Sequence, residues 1–263
     1  MPRLIFVDRY FFPDQFGTQK IVEPARRTSH KGRSVVSKMH VELEGYMGLT
    51  VTQVARLARE IYRDAKPGIK YKQGYRAYIC PFHLLVDYIP QGASVLDVGC
   101  GAGLFILLMA RLGRIRSAIG FDADDVAIHA AQHAAAKLLN RTPIHFVQRS
   151  ADDWWPKGRF DVVSIIDVMH HVPPEKQADL IAAAAEHLNE GGLLLYKDIA
   201  SRPLWRAWAN RLHDLVPAHE WIHYAELNDV VNWAVNAGLH LDHREAINML
   251  WYRHECCLFR RAA

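Results

Sequence analysis

Between about residue 92 and the C-terminus, short apolar runs alternate with stretches of helical periodicity. Ser94 to Val98 (SVLDV), Ala118 to Phe121, Ile144 to Gln148, Phe160 to Ile166 and Leu193 to Ile199 read as five strands. The helices between them are Leu104 to Leu112, the Ala-rich run Asp124 to Leu139 with its acidic first turn, and Pro174 to Leu188. Proline starts this last helix, and Gly191 and Gly192 are expected to stop it. After the fifth strand come two helical stretches separated at Pro217, and then a closing strand pair, His240 to Ala246 and Trp251 to Arg260. This rhythm predicts an α/β fold: a Rossmann-like, seven-stranded, mostly parallel sheet with helices on both faces and an antiparallel closing pair. Upstream, Thr50 to Lys66 carries apolar residues at 51, 54, 57, 58 and 61, and Thr50 with Gln53 matches a capping box. Residues 22–40 have no periodicity and read as a linker.

Composition narrows the class. With 263 residues, half of them hydrophobic and 23% charged, the chain has the balance of a globular protein able to bury one large core. No apolar run reaches the roughly 18 residues of a membrane span: Leu4 to Val7 is cut by Asp8, and Leu104 to Ala110 by Arg111. The N-terminus lacks the pattern of a secretion signal, so a cytoplasmic protein is expected, a monomer or homodimer. Cys80, Cys100 and the adjacent Cys256 and Cys257 form neither a disulfide ladder nor zinc-ligand spacing, and read as reduced thiols. The formal charge of +4 is uneven: residues 1–80 carry +8 and residues 81–263 carry −4. Such a split first suggests a basic arm for nucleic acid on a near-neutral body. We divide the chain into a basic, poorly packed extension (1–45), a helical lead (46–90) and a main domain (91–263).

The candidate chemistry starts at VLDVGCGAG, residues 95–103, where a strand gives way to Gly99, Gly101 and Gly103 and then a helix. Glycines at this spacing let the backbone turn off the strand and let a ligand approach main-chain amides. The dinucleotide fingerprint GxGxxG is not met, because Leu104 stands where its third glycine belongs. Asp97, two residues before the first glycine, would repel a pyrophosphate and suits a ligand with an ammonium group at its near end.

These residues resemble the first motif of the class I S-adenosylmethionine-dependent methyltransferases, over roughly residues 70–263. The resemblance implies S-adenosyl-L-methionine as cofactor. Its methionine end would be held by Asp97, Gly99, Cys100, Gly101 and Gly103, and its ribose hydroxyls by Asp122, with Ala123 beside it. Two carboxylate oxygens suit a vicinal diol. Where the family often shows Asp-Ala against adenine, this chain has Ser150 and Ala151. Asp167, ending the fourth strand, would border the cofactor. The segment DVMHHVPP resembles the DVLHH segment of small-molecule methyltransferases, making His170 and His171 candidates to take a proton from an acceptor hydroxyl. Asp198, in a Lys-Asp pair ending the fifth strand, is expected to orient an acceptor or pair with Arg202. Tyr75, Arg76, Tyr78, Tyr252 and His254 complete the expected substrate contacts, under a lid at about 202–237.

The sequence DVMH replaces the Asn/Asp-Pro-Pro-aromatic motif of base-amino methyltransferases, which disfavours a nucleic-acid acceptor. The leading expectation is methylation of O, N or C of a small, aromatic or partly apolar metabolite. An RNA methyltransferase using the basic segment and a non-catalytic cofactor-binding subunit are the alternatives. His219, Glu220 and His223 spell HExxH, a zinc-protease pattern needing a third ligand from Glu245 or Asp242. No metal is expected, and the match is read as coincidence in a chain with 15 histidines. Leu4 to Gln19 resembles the opening strand of nucleotide-sugar glycosyltransferases, over too few residues to imply that activity.

Overall fold

The structure is a computed structural model that describes residues 48–138, 142–151, 153, 155–200 and 223–263. The expected N-terminal extension, the first part of the lid, and His219, Glu220 and Arg202 lie outside the described residues.

Seven strands form one sheet: β1 (Ala93–Val98), β2 (Ile115–Asp122), β3 (Ile144–Gln148), β4 (Phe160–Ile166), β5 (Leu188–Ile199), β6 (Leu239–Met249) and β7 (Tyr252–Arg261). Their order is β3-β2-β1-β4-β5-β7-β6, parallel throughout except for β7, which runs antiparallel to both neighbours. This is the expected mixed sheet with its antiparallel closing pair.

Side-chain alternation sends the two faces of the sheet into two cores. On the first face Val95, Val162, Leu193 and Leu195 pack with α1 (Val51–Ile61), α4 (Leu104–Arg111) and α5 (Asp125–Ala135). On the second, Leu96, Val163, Leu194 and Phe259 pack with α6 (Pro174–Glu186) and α7 (Leu227–Asn236). Every residue of α4 from Leu104 to Ala110 is buried, so this helix is apolar all round rather than striped. The Thr50 capping box forms as expected: Gln53 N–H donates to Thr50 Oγ1 at 3.3 Å and Thr50 N–H to Gln53 Oε1 at 2.7 Å.

The helical lead expected before β1 contains a full helix, α2 (Pro67–Ile79), followed by the short α3 (Phe82–Leu85), whereas two local expectations downstream of β1 need correcting. Only Gln73 and Ala77 of α2 are buried, so it carries no apolar stripe for periodicity to detect. The helix α6 ends at Glu186, before the glycines expected to stop it. Leu188 already pairs with Phe160, and the ladder resumes with Leu193 opposite Val162, so Gly191 (φ +69°) and Gly192 sit in a bulge of β5. Finally, α7 buries Leu227, Val230 and Ala234 in the second core beside α6, so residues 227–236 belong to the body and not to a lid.

Candidate active site

The parallel strands β1, β2, β4 and β5 end on one edge of the sheet. Because β7 is antiparallel, its first residues join them there, with Ile199 facing His254. Open α/β sheets place ligands on this edge.

Between β1 and α4, Gly99, Gly101 and Gly103 have φ of +63°, +54° and +79°, in the left-handed region. A Cβ on Gly99 would lie 2.4 Å from Val168 Cγ2, and one on Gly103 2.4 Å from Phe146 Cζ. Those two glycines are demanded by packing. A Cβ on Gly101 would meet nothing nearer than the Arg76 guanidinium at 3.6 Å, so the middle of the loop presents open backbone. Asp122, ending β2, accepts the Gly101 N–H at 2.7 Å and the Asp124 N–H at 2.9 Å. The loop and the β2 acid therefore form one unit. Cys100 is buried within it, and Ala123 accepts from Gln148 Nε2 at 3.4 Å.

Asp97 is 3% exposed and accepts a hydrogen bond from Ser164 Oγ at 2.6 Å. Burial pushes its carboxyl up to about 7, against the opposing pull of Ser164 and Arg76. Among the described residues no cation pairs with this carboxyl in direct contact, and it would gain from one.

Asp167 follows β4 with φ +58°, a conformation that Asp tolerates better than most residues. Its carboxylate contacts Lys197 Nζ and Arg76 Nη2, the latter at 3.2 Å. Burial opposes ionisation, yet these cations hold Asp167 well below the usual carboxylate range. Arg76 reaches this place from α2. Lys197, in the apolar run LLLYKDI of β5, is fully buried. Arg76 was expected at the site; Lys197 was not singled out, although a lysine inside a buried strand was a readable signal.

His170 and Asp198 meet through Nδ1 and Oδ1 at 2.6 Å, both side chains nearly inaccessible. Asp198 also accepts the backbone N–H groups of His170 and Ile199. Burial favours the neutral imidazole, but the Asp198 charge prevails and raises the His170 pKa. The expected pairing of Asp198 with Arg202 lies outside the described residues; its described partner is His170. The His171 ring is 4.2 Å from that of His170, centroid to centroid.

Tyr252 and His254 enter from β7. The ring of His254 is 1% exposed, and among the described residues its nitrogens make no well-formed hydrogen bond, the Ile79 backbone being a weak partner. Burial and the Lys197 charge push its pKa down to about 3. A second buried orphan, Gln73 Oε1 on α2, lies one turn before Arg76, and no motif could have signalled it. Tyr75 stacks on Tyr71, with centroids 6.3 Å apart, while Tyr78 packs against the first core. Ser150 N–H donates to Asp153, and the Ala151 carbonyl accepts from Trp155. Both residues are thereby fixed just beyond β3.

Of the HExxH reading, the described residues include His223 and the two third-ligand candidates. Glu245 accepts from Tyr88 and Asp242 pairs with Arg260, and among the described residues no group of metal-ligating side chains forms. Nor is any described helix long and apolar enough to cross a membrane.

A glycine loop tied to the acid of β2, with a buried acid ending β1, defines a class I S-adenosylmethionine-dependent methyltransferase. Residues 71–244 match the family model described as a methyltransferase domain, and the chain belongs to that family. It is 32% identical over 179 residues to a ubiquinone biosynthesis O-methyltransferase of Xanthomonas axonopodis pv. citri, covering 62% of this chain and 72% of that protein. A protein of the same name from Saccharophagus degradans is 28% identical over 172 residues, covering 60% and 70%. Magnesium protoporphyrin IX methyltransferase from Synechocystis, solved with bound SAH, shares the fold. Its TM-score is 0.59 at 19% identity, over 79% of this chain and 93% of that one.

Proposed function

We propose that this methyltransferase acts on an oxygen atom of a small molecule. The observation that carries the cofactor side of this reading is Asp97, a buried carboxyl near neutrality beside the open backbone of Gly101. That combination fits the α-ammonium of the cofactor's methionine end. Asp122 would receive the ribose hydroxyls on lone pairs not used by Gly101 and Asp124. Ser150 and Ala151 would border the adenine, and Arg76 would offer donors to the methionine carboxylate while Lys197 shares the charge of Asp167.

S-adenosylmethionine supplies an activated methyl group, so the protein needs to orient the acceptor, exclude water and dispose of one proton. The imidazoles of His170 and His254 are the groups of this edge suited to hold the acceptor hydroxyl by a hydrogen bond while its proton leaves to solvent. Oxygen as the methylated atom is favoured by the relatives' names, since they are O-methyltransferases.

The test has two parts. S-adenosylhomocysteine should raise the melting temperature of the protein, and Asp97→Ala and Asp122→Ala should abolish the shift. Methyl-labelled cofactor with a small-molecule extract should then yield a labelled ether or ester. Label appearing only in RNA, or only on nitrogen, would overturn the acceptor reading.

A further inference from the structure

Two buried histidines border the site, and the sheet separates them. Successive residues of β5 point to opposite faces, so Lys197 faces the first core with Leu193 and Leu195, and Asp198 faces the second with Leu194 and Tyr196. His170 follows Asp198. Its Nδ1 is taken up by that carboxylate, and its backbone carbonyl accepts the His223 N–H at 3.1 Å. These contacts pin the turn after β4 to the end of β5 and to the chain entering α7.

His254 is on the other face. In β7 it alternates in step with Tyr252 and Cys256, and Cys256 lies in the first core. Its ring is therefore on the side of Arg76, Cys80, Asp167 and Lys197. The Ile79 backbone engages the donor side of this buried neutral imidazole only weakly, and among the described residues nothing meets its acceptor nitrogen, which is left uncompensated at a cost of about 1–3 kcal/mol. Most buried polar atoms are not left so. The ring also ends a chain of aromatic contacts. Trp251, 46% exposed beside the β6–β7 turn, is 5.8 Å from Tyr252, and Tyr252 is 5.9 Å from His254, between centroids. A flat molecule entering by that turn would reach His254 last.

We propose that His254, and not His170, receives the reacting hydroxyl of the acceptor, with Lys197 beside it and Trp251 and Tyr252 along its ring. This rests on the methyltransferase reading of the same edge and assigns the acceptor end of it. As the methyl group forms its bond to the acceptor oxygen, the electron pair of the breaking sulfur–carbon bond stays on sulfur. His254, kept neutral by burial and the Lys197 charge, accepts the hydroxyl's hydrogen bond on its free ring nitrogen and so orients the oxygen, while the proton released on methyl transfer passes to solvent water. His170 keeps a structural role.

The test uses 4-nitrophenol as a hydroxyl probe and the full chain saturated with S-adenosylhomocysteine. Calorimetry should show one probe site. His254→Phe, which keeps a ring but no nitrogen, should weaken probe binding by about tenfold or more. His254→Gln, which restores a side-chain acceptor, should recover part of it, and neither change should alter S-adenosylhomocysteine affinity. In wild-type protein with uniformly 15N-labelled histidine, the neutral imidazole signal missing from His254→Gln should move as probe is added. Equal probe affinity in wild type and both variants, an immobile His254 signal, or no probe binding by the saturated wild type would each overturn the assignment. Failure of S-adenosylhomocysteine itself to bind would instead remove the cofactor reading.

Discussion

Asp97 sets a proton balance on cofactor binding. In the free protein its carboxyl is raised to about 7, some three units above an ordinary aspartate near 4, which corresponds to about 4 kcal/mol against ionisation in the buried site. An ammonium brought against it reverses that preference. At pH 6 the free site is about 90% protonated, so binding S-adenosylhomocysteine should release about 0.9 proton, falling to about 0.1 at pH 8. Affinity should correspondingly strengthen by about tenfold from pH 5 to pH 6 and level off above pH 7. Titration calorimetry in two buffers of different ionisation enthalpy measures the proton count directly. Asp97→Asn should bind weakly and release none. The sign for stability is opposite to that of a salt-bridged acid. A raised carboxyl contributes stability fully below its unfolded value, and that contribution is lost as pH rises through about 7. Asp97→Asn should therefore melt higher than unliganded wild type at pH 8, with the difference vanishing near pH 4. Proton release at pH 6 below about 0.3, or equal release by Asp97→Asn, would refute the reasoning.

Further outcomes follow from the same geometry. Asp122→Ala removes the acceptor of the Gly101 and Asp124 amides as well as the expected diol contact, and should weaken S-adenosylhomocysteine by about 100-fold or more in calorimetry. Gly103→Ala would drive a Cβ to 2.4 Å from Phe146 Cζ at φ +79° and should cost about 2–3 kcal/mol in urea unfolding. Gly101→Ala has room on the protein side, so it should cost about 1 kcal/mol of stability and lose far more in cofactor affinity. Asp198→Asn should destabilise by about 3 kcal/mol at pH 6, since it leaves a buried His170 without its counter-charge. Because the His170 pKa is raised, the charge-dependent part of that loss is present below pH 6.5 and disappears as pH rises through the folded value, so unfolding at pH 6 and pH 9 should differ.

The glycine loop and the two acids at the ends of β1 and β2 were legible because they are local: Asp97, Gly101 and Asp122 sit where strand ends must be. The contribution of α2 was legible only in part. Arg76 was singled out beside Tyr75, but a helix with no apolar stripe gave no sign of the face it turns to the strand ends. Asp198 was noticed, yet its partner could not be read, since His170 is 28 residues away and Arg202 is near in sequence.

By itself, the sequence determined the order of strands and helices, the apolar faces they bury and the loop that turns between β1 and α4, because periodicity, capping and backbone freedom act over a few residues. Tertiary structure decided which charges meet. The pairing of Asp167 with Arg76 and Lys197, the tying of His170 to Asp198, and the burial of His254 with an unengaged ring nitrogen depend on strand register and on the side of the sheet each side chain takes. Those contacts join residues far apart in the chain, and burial fixes their protonation only after the sheet has closed around them.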